Sequence, residues 1–181
     1  MDQYFVIVIN ERVKPPGKLI LEEHQFQSHL QSRGNKTIII PATHNWDEEK
    51  LISDWSHRHI AYIAGVGKFG LNNMLITGEG CCGRGGSFIT SAEIKPDIRN
   101  DNPACLYEYD GSCMKCVDRC VNEALFEKQF DRFKCYEMLL ENEKVHHSIG
   151  DVDVCGKCLV AVPCSHNNPV MKKQQAMSKR S

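Results

Sequence analysis

A β-branched and aromatic run near the start, Tyr4-Phe-Val-Ile-Val-Ile9, reads as a buried strand. Pro15-Pro16-Gly17 breaks the chain after it. From Leu19 to Ser32 the apolar positions Leu19, Phe26 and Leu30 recur among charged residues and glutamines, the pattern of an amphipathic helix with Gly34 as its stop. Thr37-Ile-Ile-Ile40 is a second buried strand, ended by Pro41. Strand, helix and strand joined by short connections predict a βαβ unit, and so a small parallel or mixed sheet covered by helices. Glu48 to Ala64 predicts another helix, with Ile52 and Trp55 on one side, and Ser87 to Ile94 another strand. Between those two lie the glycine-rich stretches Ala64-Gly-Val-Gly-Lys-Phe-Gly70 and Gly78-Glu-Gly-Cys-Cys-Gly-Arg-Gly-Gly86. From Lys95 to Pro103 the chain turns polar and carries two prolines, which places a boundary there. The expected organisation is an α/β domain over 1–98, a second module over 99–171, and a polar, frayed tail over 172–181.

Composition narrows the classes. With 41% hydrophobic and 25% charged residues, the 181-residue chain has the balance of a water-soluble globular protein. A formal net charge of −1 supplies no basic field for nucleic acid, so DNA binding is not expected. Tyr4 to Ile9 is far too short to span a membrane. It runs into Asn10-Glu11-Arg12 and a Pro-Pro pair, unlike a signal peptide. The expected location is therefore a reducing cytoplasm, where cysteines argue for metal binding or catalysis over disulfides.

The cysteines carry the sharpest signal. None of the ten lies in the first 80 residues, Cys81 and Cys82 are adjacent, and the other eight fall between Cys105 and Cys164. Cys113-x2-Cys116-x3-Cys120 has the spacing that ends a bacterial ferredoxin run, in which the fourth cysteine serves the other cluster. The C-x2-C loop lets two thiolates grip neighbouring irons, and the three-residue step carries the next thiolate to a different face. Cys105 precedes this run; Cys135, Cys155-Gly-Lys-Cys158 and Cys164 follow it. Eight thiolates suit two 4Fe-4S clusters, in a ferredoxin-like module. The expected pairing is Cys105, Cys113, Cys116 and Cys164 on one cluster, with Cys120, Cys135, Cys155 and Cys158 on the other. Two zinc sites would also use eight thiolates in paired C-x2-C loops, and spacing alone leaves that alternative open. Val121 stands where a ferredoxin run has proline, and Pro163 precedes Cys164 instead of following it.

The region from Trp55 to Pro169 resembles epoxyqueuosine reductase and its short relatives, in a cobalamin-dependent iron–sulfur group that also contains reductive dehalogenases. The matching stretches are Trp55-Ser-His-Arg-His, the glycine-rich run 64–72, Gly83-Arg-Gly-Gly-Ser-Phe-Ile-Thr90, Asp110-Gly-Ser-Cys-Met-Lys-Cys116, Phe130-Asp-Arg-Phe-Lys-Cys135 and Asp153-Val-Cys-Gly-Lys-Cys158, in the family's order. The lone Cys135 after an Asp-Arg pair is the most specific, because simple ferredoxins and zinc modules lack it. The resemblance implies iron–sulfur clusters as cofactors, with cobalamin as a further one. It also implies an oxidoreductase that passes low-potential electrons through the clusters to a corrinoid, fed by a donor such as a ferredoxin or flavodoxin. In the larger enzymes the first ligand sits where this chain has Asp110, and the role passes to Cys105 as the nearby thiol. The family's acidic proton donor has no counterpart in register, so no catalytic residue is carried over; Asp54 lies nearby without that role. Much of the front portion that encloses cobalamin in the larger enzymes is absent, so a homodimer or a partner is expected to supply the missing wall. A non-enzymatic electron carrier and a zinc-stabilised interaction module are the competing readings.

Weaker signals have plainer explanations. Gly65-x-Gly67-x-x-Gly70 matches a dinucleotide fingerprint, but the residues before it predict helix where that site needs a strand. Under the resemblance these glycines let the loop approach a corrinoid; otherwise they make a tight connection. His57, Arg58 and His59 suit a phosphate or acidic substrate, or a solvated polar face. Cys81 and Cys82 read as packing residues or as thiols open to oxidation.

Overall fold

A computed structural model of the chain describes residues 5–12, 18–41, 46–96, 100–150, 152 and 154–179. Tyr4, the Pro-Pro-Gly break at 15–17 and Asp153 lie outside the described residues.

Strand β1 (Phe5–Arg12), helix α1 (Lys18–Ser32) and strand β2 (Thr37–Ile39) form in the predicted order. Gly34 ends α1 at a φ of +83°, and the amides of Gly34 and Asn35 donate back to Gln31 and Leu30 at 2.9 and 3.1 Å. A left-handed residue at that place closes the last carbonyls of a helix, and glycine adopts it without strain.

The sheet differs from a simple parallel βαβ unit. Strands β1 and β2 are not neighbours: a third long strand, Gly83–Thr90, lies between them and runs antiparallel to both. Phe5 and Thr37 both pair with Thr90, so the strand–helix–strand crossover keeps β1 and β2 in one direction while the gap between them is filled from later sequence. The result is a mixed α/β fold whose hydrogen-bonded ladders are antiparallel.

The predicted helix over 48–64 shortens to α2 (His57–Ile63). Before it, β3 (Trp46–Asp47) and β4 (Ile52–Ser53) form a small hairpin. The Asp47 carboxylate accepts the Lys50 amide at 2.9 Å and closes the turn, and Leu51 takes a φ of +52° that no helix continues through. A second hairpin follows, β5 (Gly67–Phe69) with β6 (Leu75–Thr77), and then the long central strand β7 (Gly83–Thr90). Alternation along β7 sets the layers. The Phe88 ring packs 6.2 Å from Phe26 of α1, whereas Ser87 is bonded by Trp55 and by His57 of α2. Helices α1 and α2 therefore cover opposite faces.

Beyond Pro103 the elements are short: α3 (Leu106–Asp110), α4 (Lys115–Asp118), the β8–β9 hairpin (Leu125–Phe126 with Gln129–Phe130), α5 (Arg132–His146), a 3₁₀ turn (His147–Ile149) and α6 (Pro169–Ser178). Two have strong starts. Asp131 accepts the amides of Phe133 and Lys134 at 3.0 Å each, and Asn168 accepts those of Val170 and Met171 at 3.1 Å with Pro169 at the first helical position. The polar end, expected to fray, is thus a capped helix as far as Ser178. Packing also crosses the expected boundary. Leu71, Ile76 and Cys81 share one buried cluster with Ala104, Cys105, Cys116, Leu125 and Val162. No helix among the described residues is long and apolar enough to cross a membrane.

Candidate metal centre

Cys105 sits at the N-terminal cap of α3, whose C-terminal end is closed by Gly111 at a φ of +73°. The chain then turns back, so Cys113 and Cys116 come from the loop before α4 and from its first turn. Cys164 arrives from the far end of the sequence. These four thiols line one small pocket together with Leu71, Asn72 and Val162. Their proximity is legible in their acidities: burial first, then the charges of Cys105 and Cys113, push the Cys116 thiol up to about 11.

The other four line a separate apolar cavity of about 300 Å³, walled by Met74, Met138, Leu139 and Leu159. Cys120 follows α4, Cys135 projects from the capped first turns of α5, and Cys155 and Cys158 flank Gly156. Gly156 has a φ of +68°, and its carbonyl accepts the amides of Leu159 and Val160 at 3.0 and 3.1 Å. The tight turn brings both thiols of the C-x2-C pair to one cavity. Burial and then Cys135, Cys120 and Cys155 push Cys158 up to about 11; burial and then Cys120 and Cys155 push Cys135 up. The Ala124 amide donates to Cys120 Sγ at 3.2 Å.

The eight thiols expected from spacing are thus gathered into two groups of four, drawn from distant segments. Asp110, the rival for the first position, faces elsewhere. Its carboxylate accepts the Ser112 amide at 3.1 Å and pairs with Lys173 of α6, whose ammonium and the Ser112 bond hold it down to about 2. Among the described residues, no three His, Cys, Asp or Glu side chains converge on a point that would hold a single metal ion.

The glycine-rich loop has packing reasons of its own. Gly65 leaves α2 at a φ of +79°, and a Cβ on Gly67 would lie 2.5 Å from the Ile76 carbonyl across the β5–β6 hairpin. A Cβ on Gly70 would lie 2.7 Å from Ile76 Cδ1. Helix precedes this loop and strand follows it, the reverse of a dinucleotide site.

Two features escaped the sequence reading. His57 is not on a solvated face: it meets the fully buried Ser87 Oγ at 2.8 Å, which also accepts the Trp55 indole N–H at 3.0 Å. Burial lowers the His57 imidazole below its ordinary range. His57 and Arg58 border a void of about 50 Å³ closed by Gly83, Gly85 and Cys81, with the Arg58 guanidinium donating to the Asn73 carbonyl at 3.1 Å. The second is Cys81 itself, 3% exposed, whose Sγ lies 3.8 Å from Cys164 Sγ. The contact with Cys164 pulls Cys81 down to about 7, and Cys81 together with burial drives Cys164 upward. Only contact in three dimensions joins residues this far apart in sequence.

A mixed α/β fold of this kind recurs in solved epoxyqueuosine reductases. The TM-score is 0.58 to the Bacillus subtilis enzyme, captured with its catalytic loop swung out of the active site, at 22% identity. It is 0.60 to the Streptococcus thermophilus enzyme at 17% identity, and 0.58 to an epoxyqueuosine reductase with a modified tRNA stem loop at 21% identity. The alignments cover 83%, 91% and 90% of this chain but 38%, 50% and 48% of those proteins. In sequence, 137 residues are 30% identical to the epoxyqueuosine reductase of Bacillus anthracis, 68% of this chain and 34% of that one. No family model matches. The chain is epoxyqueuosine-reductase-like and spans about a third of the length of the curated relative it matches.

Proposed function

We propose that this chain is an iron–sulfur redox protein of the epoxyqueuosine-reductase type, holding one 4Fe-4S cluster on each cysteine quartet. The observation that carries the reading is the gathering of eight thiols into two four-cysteine pockets, one of them enclosing about 300 Å³. Cys120 and Cys164 each join the pocket opposite to the motif nearest them in sequence, as in two-cluster ferredoxins. Four thiols spaced around a void suit a cube with irons at four alternate corners, whereas a zinc ion draws its sulfurs to about 2.3 Å from a single point. When bound, the clusters supply low-potential one-electron transfer toward a corrinoid or a partner protein.

The chain's own residues do the rest. Met74, Met138, Leu139 and Leu159 give the second quartet an apolar wall. The Ala124 amide, bonded to Cys120 Sγ at 3.2 Å, fixes that sulfur at the pocket. Burial keeps Cys116 and Cys158 protonated until a cation displaces the proton, so loading releases protons. A cytoplasmic redox role fed by a ferredoxin or flavodoxin follows from this reading. Anaerobic purification with iron, sulfide and zinc analysis tests it. About eight irons and eight sulfides per chain, with visible absorption bleached by dithionite, are expected from two clusters. Stoichiometric zinc without sulfide would establish the zinc-module alternative instead.

A further inference from the structure

Cys81 is a ninth thiol at the first quartet, and no ligand role remains for it. It is buried in the same core cluster as Cys105 and Cys116, and its sulfur stands 3.8 Å from that of Cys164, 83 residues away in sequence. The two main chains are already pinned. The Cys81 amide donates to the Cys164 carbonyl at 2.8 Å, and the Cys82 amide to the Ser165 carbonyl at 3.0 Å. Gly80 lies against the backbone of residues 165–167, so the segments have no slack between them. A disulfide needs the sulfurs to close by about 1.8 Å, to a bond of about 2.05 Å, a distance within reach of side-chain rotation about an already aligned backbone. Cys81 also borders the void beside His57 and Arg58, while Cys164 lines the quartet's pocket. The pair lies between the two, with the buried Cys81 on the side of the void and the half-buried Cys164 on the side of the pocket.

We propose that Cys81 and Cys164 form a peroxide-closed disulfide switch that withdraws Cys164 from the first quartet. The oxidant is hydrogen peroxide, small enough for a void of about 50 Å³. The Cys81 thiolate attacks one peroxide oxygen and the O–O bond breaks, giving a sulfenic acid and hydroxide, which takes up a proton as water. The Cys164 thiolate then attacks the Cys81 sulfur, the S–O bond breaks, and the leaving hydroxide takes a proton as a second water. Two thiols are oxidised, one peroxide is reduced, and a thiol reductant reverses the change. Cys82 has a different partner: its S–H donates to the Leu159 carbonyl at 3.3 Å, turned from Cys164.

The withdrawal of a ligand rests on the two-cluster reading; the sulfur–sulfur bond does not. The test treats the anaerobically purified full chain with hydrogen peroxide in the presence of an iron chelator, then blocks free thiols and maps linked peptides by mass spectrometry without reduction. A Cys81–Cys164 link is expected, with loss of two free thiols and of about half the iron, restored by dithiothreitol and reconstitution. Cys82→Ala keeps the link. Cys81→Ala abolishes the link and keeps its iron at a peroxide dose that strips the parent, whereas equal iron loss in this variant overturns the switch. Absence of the link, or a dominant Cys81–Cys82 link, overturns the switch, as does a Cys81–Cys164 link that leaves iron at the untreated level. Untreated protein that never carries iron, yet still forms the link, would sink the two-cluster reading and leave the disulfide standing.

Discussion

Gly80→Ala is the substitution that most directly tests how the front of the chain is fastened to the cysteine region. Gly80 has a φ of +96°, and an added Cβ would lie 2.5 Å from the Ser165 carbonyl oxygen, 2.6 Å from the Asn167 nitrogen and 2.7 Å from the His166 nitrogen. All three are main-chain atoms, so no side chain can swing aside. Ordinary contact begins at 3.4 Å, and the 165–167 segment would have to retreat by close to an ångström. Holding alanine at a positive φ costs roughly 1–2 kcal/mol. Forcing a methyl group into a filled site adds roughly 1–3 kcal/mol. The sum, about 2–5 kcal/mol, is a large share of the ~5–15 kcal/mol that a domain has in total. Urea unfolding of anaerobic protein measures it. Gly34→Ala separates the two costs, since Gly34 has a φ of +83° with nothing near its missing Cβ. Gly78→Ala, with open space and no positive φ, is the neutral control. The expected order of destabilisation is Gly78, Gly34, Gly80. A Gly80→Ala protein no less stable than Gly34→Ala would refute the clash, and with it the claim that this backbone contact positions Cys164.

Three further outcomes are expected. Cys164→Ala should lose the iron of the first quartet and Cys135→Ala that of the second, about half of the total each; loss of the same spectroscopic signal by both would show the partition is wrong. Burial raises the Glu23 carboxyl above 4.5, so the folded state holds its proton more tightly than the unfolded one, and stability is lost as pH rises from 4.5 through the folded pKa. Glu23→Gln should therefore gain stability over the parent as pH rises through that window and hold the gain above it; a pH-independent difference would contradict this. The void beside His57 and Arg58, about 50 Å³, is far below the roughly 300–1,000 Å³ of ordinary cofactor pockets, so the chain alone should not bind hydroxocobalamin at micromolar concentration. A shift of the cobalt bands in such a titration would reverse that expectation.

Which parts of this were legible in the sequence follows from the range of the forces involved. The first strand, α1 and β2 are set by local periodicity and punctuation, and they form within three residues of the predicted bounds. The paired C-x2-C cysteines were visible as a local spacing, whereas the pockets that gather distant cysteines belong to the fold. The position of β7 was not: nothing near Gly83–Thr90 says that this strand inserts between two others, and its glycines read as loop. In the fold they are the consequence of close cover, since a Cβ on Gly86 would collide with the Glu23 carboxylate of α1. The helix predicted over 48–64 fails for a local reason overlooked, the Asp47 turn and the left-handed Leu51.

The division into a front domain and a cysteine module was drawn from composition, and composition does not report where side chains meet. Ile76 of β6 is fully buried in the same cluster as Cys105 and Cys116, and Asn72, beside the second glycine-rich hairpin strand, donates to the Cys158 carbonyl at 3.1 Å. One front-half segment thus touches both quartets, through Cys81 to Cys164 on one side and through Asn72 to Cys158 on the other. Such an arrangement couples the stability of the glycine-rich hairpin to that of both cysteine groups, because a bond lost at either end leaves a buried polar partner behind. Asn72→Ala places this coupling under test: it removes the donor to the Cys158 carbonyl at the second quartet, together with a long 3.9 Å contact to Cys81 Sγ, and keeps every cysteine. Unfolding should shift by about 1–3 kcal/mol, and iron should be lost from the Cys158 group ahead of the Cys116 group when a chelator competes. Equal rates of loss from the two groups would mean that the hairpin supports the cysteine region only as bulk packing.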